Sequence, residues 1–348
     1  MALLHIDGFD HQLNSTDLIA NFGPFEWRYA AVTFVTGRYT GRAIRYGGRT
    51  FNIQGVLTTP ISTAFFGVAV YMPLSTQFEI ILVDSGTSTN QVDIVLDDTN
   101  GSIKIYRGGS GGTGTLLFTS GNNLFSSAAW FYLEVSPVIA TSGSVAIHIN
   151  GVSAVNATGI NTQVSVNATF DTIILGSDAN AINATDVAND DFYICDSATG
   201  AGTNPFNTFV GSVRVQTLFP VTAGSLTQYT PLTSTNVSQI QETAMDSDTT
   251  YNFDSTVGHE DLFIVGPMTA GLTPLAVQVT GAYRQDSAGS RAVANHIKSG
   301  TVDTAGTSTI LNATYTYQYD IYPEDPNITG AWTVSSVNAA EIGYATTA

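Results

Sequence analysis

Apolar and polar positions alternate with a period of two along most of this chain, in short runs separated by Gly, Asn, Ser and Pro. That period predicts β-strands with one face turned inward. Val145, Ile147 and Ile149 alternate with Ala146, His148 and Asn150, and the Asn150-Gly151 pair closes the strand as a turn. Around it, FEIILVD, QVDIVLDD, SIKIY and TLLF have the lengths of meander strands. The run TAFFGVAVYMP, ending at Pro73, is apolar on both faces and predicts a central strand covered on both sides. From Asp190 to Pro220 the pattern predicts two strands joined by a loop rich in Gly, Asn and Pro. In the second strand Val213, Val215, Thr217 and Phe219 alternate with Ser212, Arg214, Gln216 and Leu218.

After Pro220, TAGSLTQYTPLTSTN reads as a linker, and alternation then returns. In ILNATYTYQYDIYP the rings of Tyr315, Tyr317 and Tyr319 share one face, which predicts a packing or interface stripe. PLAVQVTGAYR alternates in the same way. Helix signals are confined to Asn236–Ala244 and Ala339–Ile342. The pattern therefore predicts an all-β chain with an antiparallel sandwich over residues 1–220 and a smaller β domain over 221–348. A length of 348 residues exceeds the usual single core and agrees with two domains.

Composition narrows the function classes. The formal net charge is −17, and Lys104 and Lys298 are the only lysines, which argues against nucleic acid and anionic membranes as partners. No apolar run approaches the roughly 20 residues of a membrane helix, so no membrane insertion is expected. The start MALLHIDGFDH lacks the pattern of a secretory signal, so synthesis and folding in a cytoplasm, with release by lysis, are expected. Cys195, the single cysteine, is expected to be a buried apolar side chain.

Most chemical motifs dissolve on inspection. GGSGG at Gly108–Gly112 matches a nucleophile-elbow pattern but lies between two strands, where the motif's helix is missing, so a hairpin connection is expected. The histidines are scattered without ligand spacing, and no cofactor is implied. Arg38, Arg42, Arg45 and Arg49 concentrate positive charge within GRYTGRAIRYGGR. They predict either a charge-guarded hairpin edge or a patch that docks on an acidic neighbour.

Several segments carry a resemblance beyond their periodicity. The DDFY strand, the FVGSVRVQTLFP segment, the opening LLHIDGFDH, and DSDTTYNF, YRQDSAGSRAV and DPNITGAWTVSSVNAAEIGY downstream resemble structural proteins of tailed-bacteriophage virions. The first two look like the closing part of a concanavalin A-like, laminin G-like jelly roll. The resemblance implies an antiparallel jelly-roll sandwich for residues 1–220 and an attachment or assembly role for residues 221–348. It implies a virion protein of the tail apparatus or a fibre-like appendage, with other virion proteins and copies of itself as partners. A head decoration protein and an adhesin for host surface glycans are the alternatives. Laminin G-like domains hold calcium near strand ends, which makes Asp190 and Asp191 weak metal candidates against the plainer reading of a solvated edge or turn cap. The same fold hosts glycosidases with paired carboxylates, but Glu79 and Glu134 each stand alone in their strands, so no catalytic residue is assigned and no enzyme is expected.

Overall fold

The computed structural model describes residues 3–11, 21–22, 25–30, 32–48, 51–176, 183–196, 206–243, 245–287 and 289–348. The chain is all-β and divides into two compact units. The first takes the described residues up to Val215 apart from Asn21–Phe22, and the second takes Gln216–Ala348 together with Asn21–Phe22.

The first unit is an antiparallel jelly-roll sandwich. Its eight-stranded front sheet runs, in spatial order, Val152–Ile160, Gly143–Ile149, Trp130–Val138, Ala64–Tyr71, Ala188–Asp196, Arg42–Tyr46 and Val32–Thr36, with Leu3–Asp7 also paired to Ala188–Asp196. The seven-stranded back sheet runs Thr115–Thr119, Ser102–Arg107, Thr89–Asp97, Gln77–Asp84, Phe170–Gly176, Asn52–Ile61 and Phe25–Ala30. Alternation sets the core. In the front sheet Phe66, Val68 and Val70 lie opposite Val135, Leu133 and Phe131, all buried. In the back sheet Phe78, Ile80 and Leu82 lie opposite Leu96, Ile94 and Val92, also buried. The two inner faces meet where Tyr46 and Phe78 stand 6.4 Å apart between ring centres. Burying each such side chain stabilises the fold by about 1.5–3 kcal/mol.

The Ala64–Tyr71 strand is central and covered on both sides, as its unbroken apolar run predicts. Gly108–Gly114 forms the expected hairpin connection, with left-handed backbone at Gly108, Gly109, Gly111 and Gly112. The sequence expectation fails at Val213–Phe219. That segment forms no strand: the Val213 carbonyl and Val215 N–H bond to side chains of the front sheet, and the Phe219 carbonyl accepts from Gly266 N in the second unit.

The second unit is built on a six-stranded sheet. Its order is Pro220–Thr227, Glu260–Val265, Glu341–Thr346, Ala292–Ser299 and Val302–Ala305, with Thr309–Ile310 also paired to Ala292–Ser299. A three-stranded sheet joins Asn21–Phe22, Thr316–Tyr322 and Val277–Tyr283, its first pair being parallel. Trp332, Val337, Ile297, Val279 and Tyr322 form the core, and Trp332 Nε1 donates to the Tyr322 carbonyl. The helix expected at Ala339–Ile342 lies earlier, at Val334–Ala339, where Thr333 and Ser336 form a capping box. The expected helix at Asn236–Ala244 reduces to one 3-10 turn, Val237–Gln239.

Candidate functional site

The outward face of the front sheet carries a dense polar cluster. Strand order assembles it. Glu134 and Tyr193 both lie opposite Gly67, on either side of the central strand. A Cβ at Gly67 would fall 2.4 Å from Tyr193 Cε1 and 2.8 Å from Tyr132 Cε1, so glycine is the floor on which both rings rest. The rings are parallel, 6.5 Å apart between centres. Tyr193 Oη donates to Glu134 Oε1 at 2.7 Å. Glu134 Oε2 is sealed from solvent without a hydrogen-bond partner.

Three residues singled out in the sequence converge beside this row. The backbone N–H of Arg38 donates to Asp190 Oδ2 at 2.7 Å, and Arg38 Nη1 lies 3.4 Å from Asp191 Oδ2. Its guanidinium stands 5.3 Å from the Tyr132 ring centre and 4.9 Å from that of Tyr39. The expectation of a solvated Asp pair is corrected, since Asp190 is 4% and Asp191 2% exposed. The cause is a bulge: Asp191 has φ 51°, the register slips between Asp190 and Tyr193, and both carboxyls turn into the cluster. Burial and the charge of Asp191 push Asp190 up to about 8, while burial outweighs Arg38 and lifts Asp191 to about 6. The pair therefore titrates as a unit around neutral pH.

The segment Phe206–Val215 lies over this cluster as a strap. Gly211 N donates to Glu134 Oε1 at 2.7 Å and Val215 N to Asp191 Oδ1 at 2.8 Å. Arg38 donates to the Val213 carbonyl at 3.2 Å and to Ser212 Oγ at 2.9 Å. Phe209 stacks on His148 with ring centres 3.8 Å apart. With both acids engaged by Arg38 and the strap, the Asp pair acts as a clamp on that strap.

The described members of the arginine group, Arg38, Arg42 and Arg45, are each held by local partners. Arg38 is turned inward, with its side chain 11% exposed. Arg42 is half-buried, and its backbone N–H donates to Asp10 Oδ1. Arg45 lies 3.5 Å from Asp186 Oδ1 and donates to Thr33 Oγ1. Arg49 lies outside the described residues. The tyrosine stripe is also modified. Tyr317 and Tyr319 are buried, but the strand begins at Thr316 and is covered on both faces, and half-buried Tyr315 precedes it and donates to Asp248 Oδ1.

Sequence inspection missed two groupings because their members come from different strands. Glu79 and Asp93 sit together on the outward face of the back sheet beneath the glycine hairpin. Gly111 N donates to Glu79 and Gly112 N to Asp93 Oδ2. Burial first, then the charge of Glu79, raises Asp93 to about 8. Both acids are almost fully buried, so in this arrangement neither reaches a substrate. The second grouping is aromatic. Tyr71 and Trp130 are half-buried neighbours with ring centres 5.7 Å apart, on the same outward face as Tyr132. Tyr39 is 52% exposed and touches the guanidiniums of both Arg38 and Arg214.

No protein-family model matches the sequence, and no curated protein sequence matches it. Solved structures similar to part of the chain include a carbohydrate-binding module from Bacillus subtilis, at 11% identity over 47% of this chain and 91% of that one, TM-score 0.32. An endo-β-1,4-glucuronan lyase from the fungus Trichoderma reesei is similar at 12% identity over 56% of this chain and 96% of that one, TM-score 0.38. A Caenorhabditis elegans galectin is similar at 13% identity over 43% of this chain and 95% of that one, TM-score 0.29. Likeness at this level leaves ligand and activity to be argued from the site itself.

Proposed function

We propose that the first unit is a glycan-binding module and that its sugar platform is the aromatic rim of the front sheet, formed by Tyr39, Tyr71 and Trp130. One observation carries this reading: the Tyr39, Tyr71 and Trp130 rings keep contact with solvent, Tyr39 lying against the same Arg38 guanidinium that faces Tyr132, while the carboxylates of that face are sealed beneath the strap. Sugar rings stack their C–H faces on aromatic side chains, while a few fixed polar groups orient the hydroxyls. The buried network of Arg38, Asp190, Asp191 and Glu134 then serves rigidity, which lowers the ordering cost of binding. Recognition without catalysis is the corresponding activity.

The setting we propose is a tailed-phage particle, on a tail apparatus or fibre-like appendage, with head decoration as the alternative. It rests on the sequence resemblance described above. Assembly with copies of itself or other virion proteins has separate support. The end strands Val152–Ile160, Val32–Thr36 and Thr115–Thr119 carry no charged residue, and such unguarded edges favour strand pairing with a partner. The second unit would serve attachment.

Screening the full chain against arrayed bacterial surface glycans tests the binding proposal. Binding to a defined glycan that falls at least tenfold in both Trp130→Ala and Tyr39→Ala is expected. Absence of any saturable binding, or binding indifferent to both substitutions, would overturn it.

A further inference from the structure

The second unit contains a cluster that no sequence spacing announces. Glu260, His296 and Asp303 come from three strands of the six-stranded sheet, and their ligand atoms all lie within 4.8 Å of one another. The register explains the meeting. Glu260 lies opposite Ala345, and His296 lies opposite Gly343, on the two sides of the Glu341–Thr346 strand. Both side chains therefore stand on the same face of the sheet, one residue pair apart. Asp303 arrives from the Ser299–Val302 hairpin, on the same face as His296.

The polar groups satisfy one another only in part. His296 Nδ1 is 3.0 Å from Asp303 Oδ1 and 3.1 Å from Glu260 Oε1. Only the Asp303 contact has hydrogen-bond geometry, and Glu260 Oε1 is sealed from solvent without a hydrogen-bond partner in a residue that is 9% exposed. One ring nitrogen carries at most one proton, so it cannot make a full hydrogen bond to each of two carboxylates. The nearby Lys298 donates from Nζ to Ser225 Oγ.

We propose that Glu260, His296 and Asp303 bind one divalent metal ion of the zinc class, with water completing its coordination. An imidazole nitrogen and two carboxylate oxygens form a mixed donor set that suits zinc and its first-row neighbours. The spacing agrees. Ligands about 2.1 Å from a zinc-sized ion stand roughly 3.0–3.4 Å apart, against contacts of 3.0 and 3.1 Å here. Calcium, at about 2.3–2.6 Å from its oxygens, wants a wider and all-oxygen cage. The ion would tie three strands together and so stabilise the second unit when bound.

The test uses the full chain stripped with a chelator and titrated with zinc chloride, followed by calorimetry and by melting temperature. One zinc per chain with micromolar or tighter affinity is expected, together with a rise in melting temperature and weaker binding of calcium and magnesium. Glu260→Gln and His296→Ala should each weaken zinc binding at least tenfold. Asp303→Asn is the safeguard against misfolding, because Asp303 is exposed on a hairpin, and it should weaken binding similarly with an unchanged circular dichroism spectrum. His259→Ala, which alters the separate His259–Asp254 pair, should leave affinity unchanged. Absence of saturable binding, or folded His296→Ala and Asp303→Asn variants that bind zinc like the unaltered chain, would overturn the proposal.

Discussion

Removing the Arg38 side chain should loosen the first unit in a pH-dependent way. In Arg38→Ala the guanidinium contacts with Asp191, Ser212 and the Val213 carbonyl disappear, as do those with the Tyr39 and Tyr132 rings. Breaking a buried ion pair from one side costs about 3–5 kcal/mol when the remaining charge has no relief. Here relief exists. Asp190 is raised to about 8 and Asp191 to about 6, so the pair already holds about one proton at neutral pH. Asp191 can take up a second proton at a cost of about 1.4 kcal/mol per pH unit above its pKa. Both folded values lie above the unfolded value of about 3.9. Each carboxyl therefore contributes stability that is full below about pH 4 and is lost as pH rises through its folded pKa. Arg38 limits that loss by favouring ionised Asp191, so its contribution grows with pH. The expected destabilisation is about 3 kcal/mol at pH 7.5 and about half that at pH 5.5. Urea unfolding followed by tryptophan fluorescence measures it, in a Trp332→Phe background that keeps the signal within the first unit. A loss below about 1 kcal/mol at pH 7.5, or one equal at the two pH values, would refute the reasoning.

Other substitutions test the remaining structure. Gly67→Ala should destabilise the first unit by about 1–3 kcal/mol through the overlap with Tyr132 and Tyr193, measured by urea midpoint, and a neutral result would remove the floor role of Gly67. Tyr317→Ala, which empties a site 7% exposed, should cost about 3 kcal/mol or more, read by thermal unfolding of the second unit. Cys195 is fully buried, and burial pushes its thiol far above the usual range. It should resist thiol reagents in the native protein and react after unfolding, and fast native labelling would contradict its placement.

Period-two alternation made the strands legible because each residue's face depends on its immediate neighbours. Phe66, Val68 and Val70, or Val145, Ile147 and Ile149, need no knowledge of the rest of the chain to be assigned inward. The same rule misled at Val213–Phe219. Alternation reports that one side of a segment is covered, and Val213 and Val215 bond to side chains of the front sheet without joining its hydrogen-bond ladder. The site was legible only in pieces. Arg38, Asp190 and Asp191 stood out as charges, but their convergence depends on strand order and on the bulge at Asp191, which leaves no periodic trace. Glu134 and Glu79 looked solitary for the same reason, since their partners Tyr193 and Asp93 lie on other strands. Glu260, His296 and Asp303 were invisible to spacing rules, which detect ligands within one local segment.

Hydrogen–deuterium exchange of the full chain with and without its bound glycan tests the central claim most directly. Protection is predicted in the peptides that carry Tyr39, Tyr71 and Trp130, with the back sheet and residues 216–348 unchanged. Protection confined to the back sheet or to the second unit, with the Tyr39, Tyr71 and Trp130 peptides unaltered, would contradict the account.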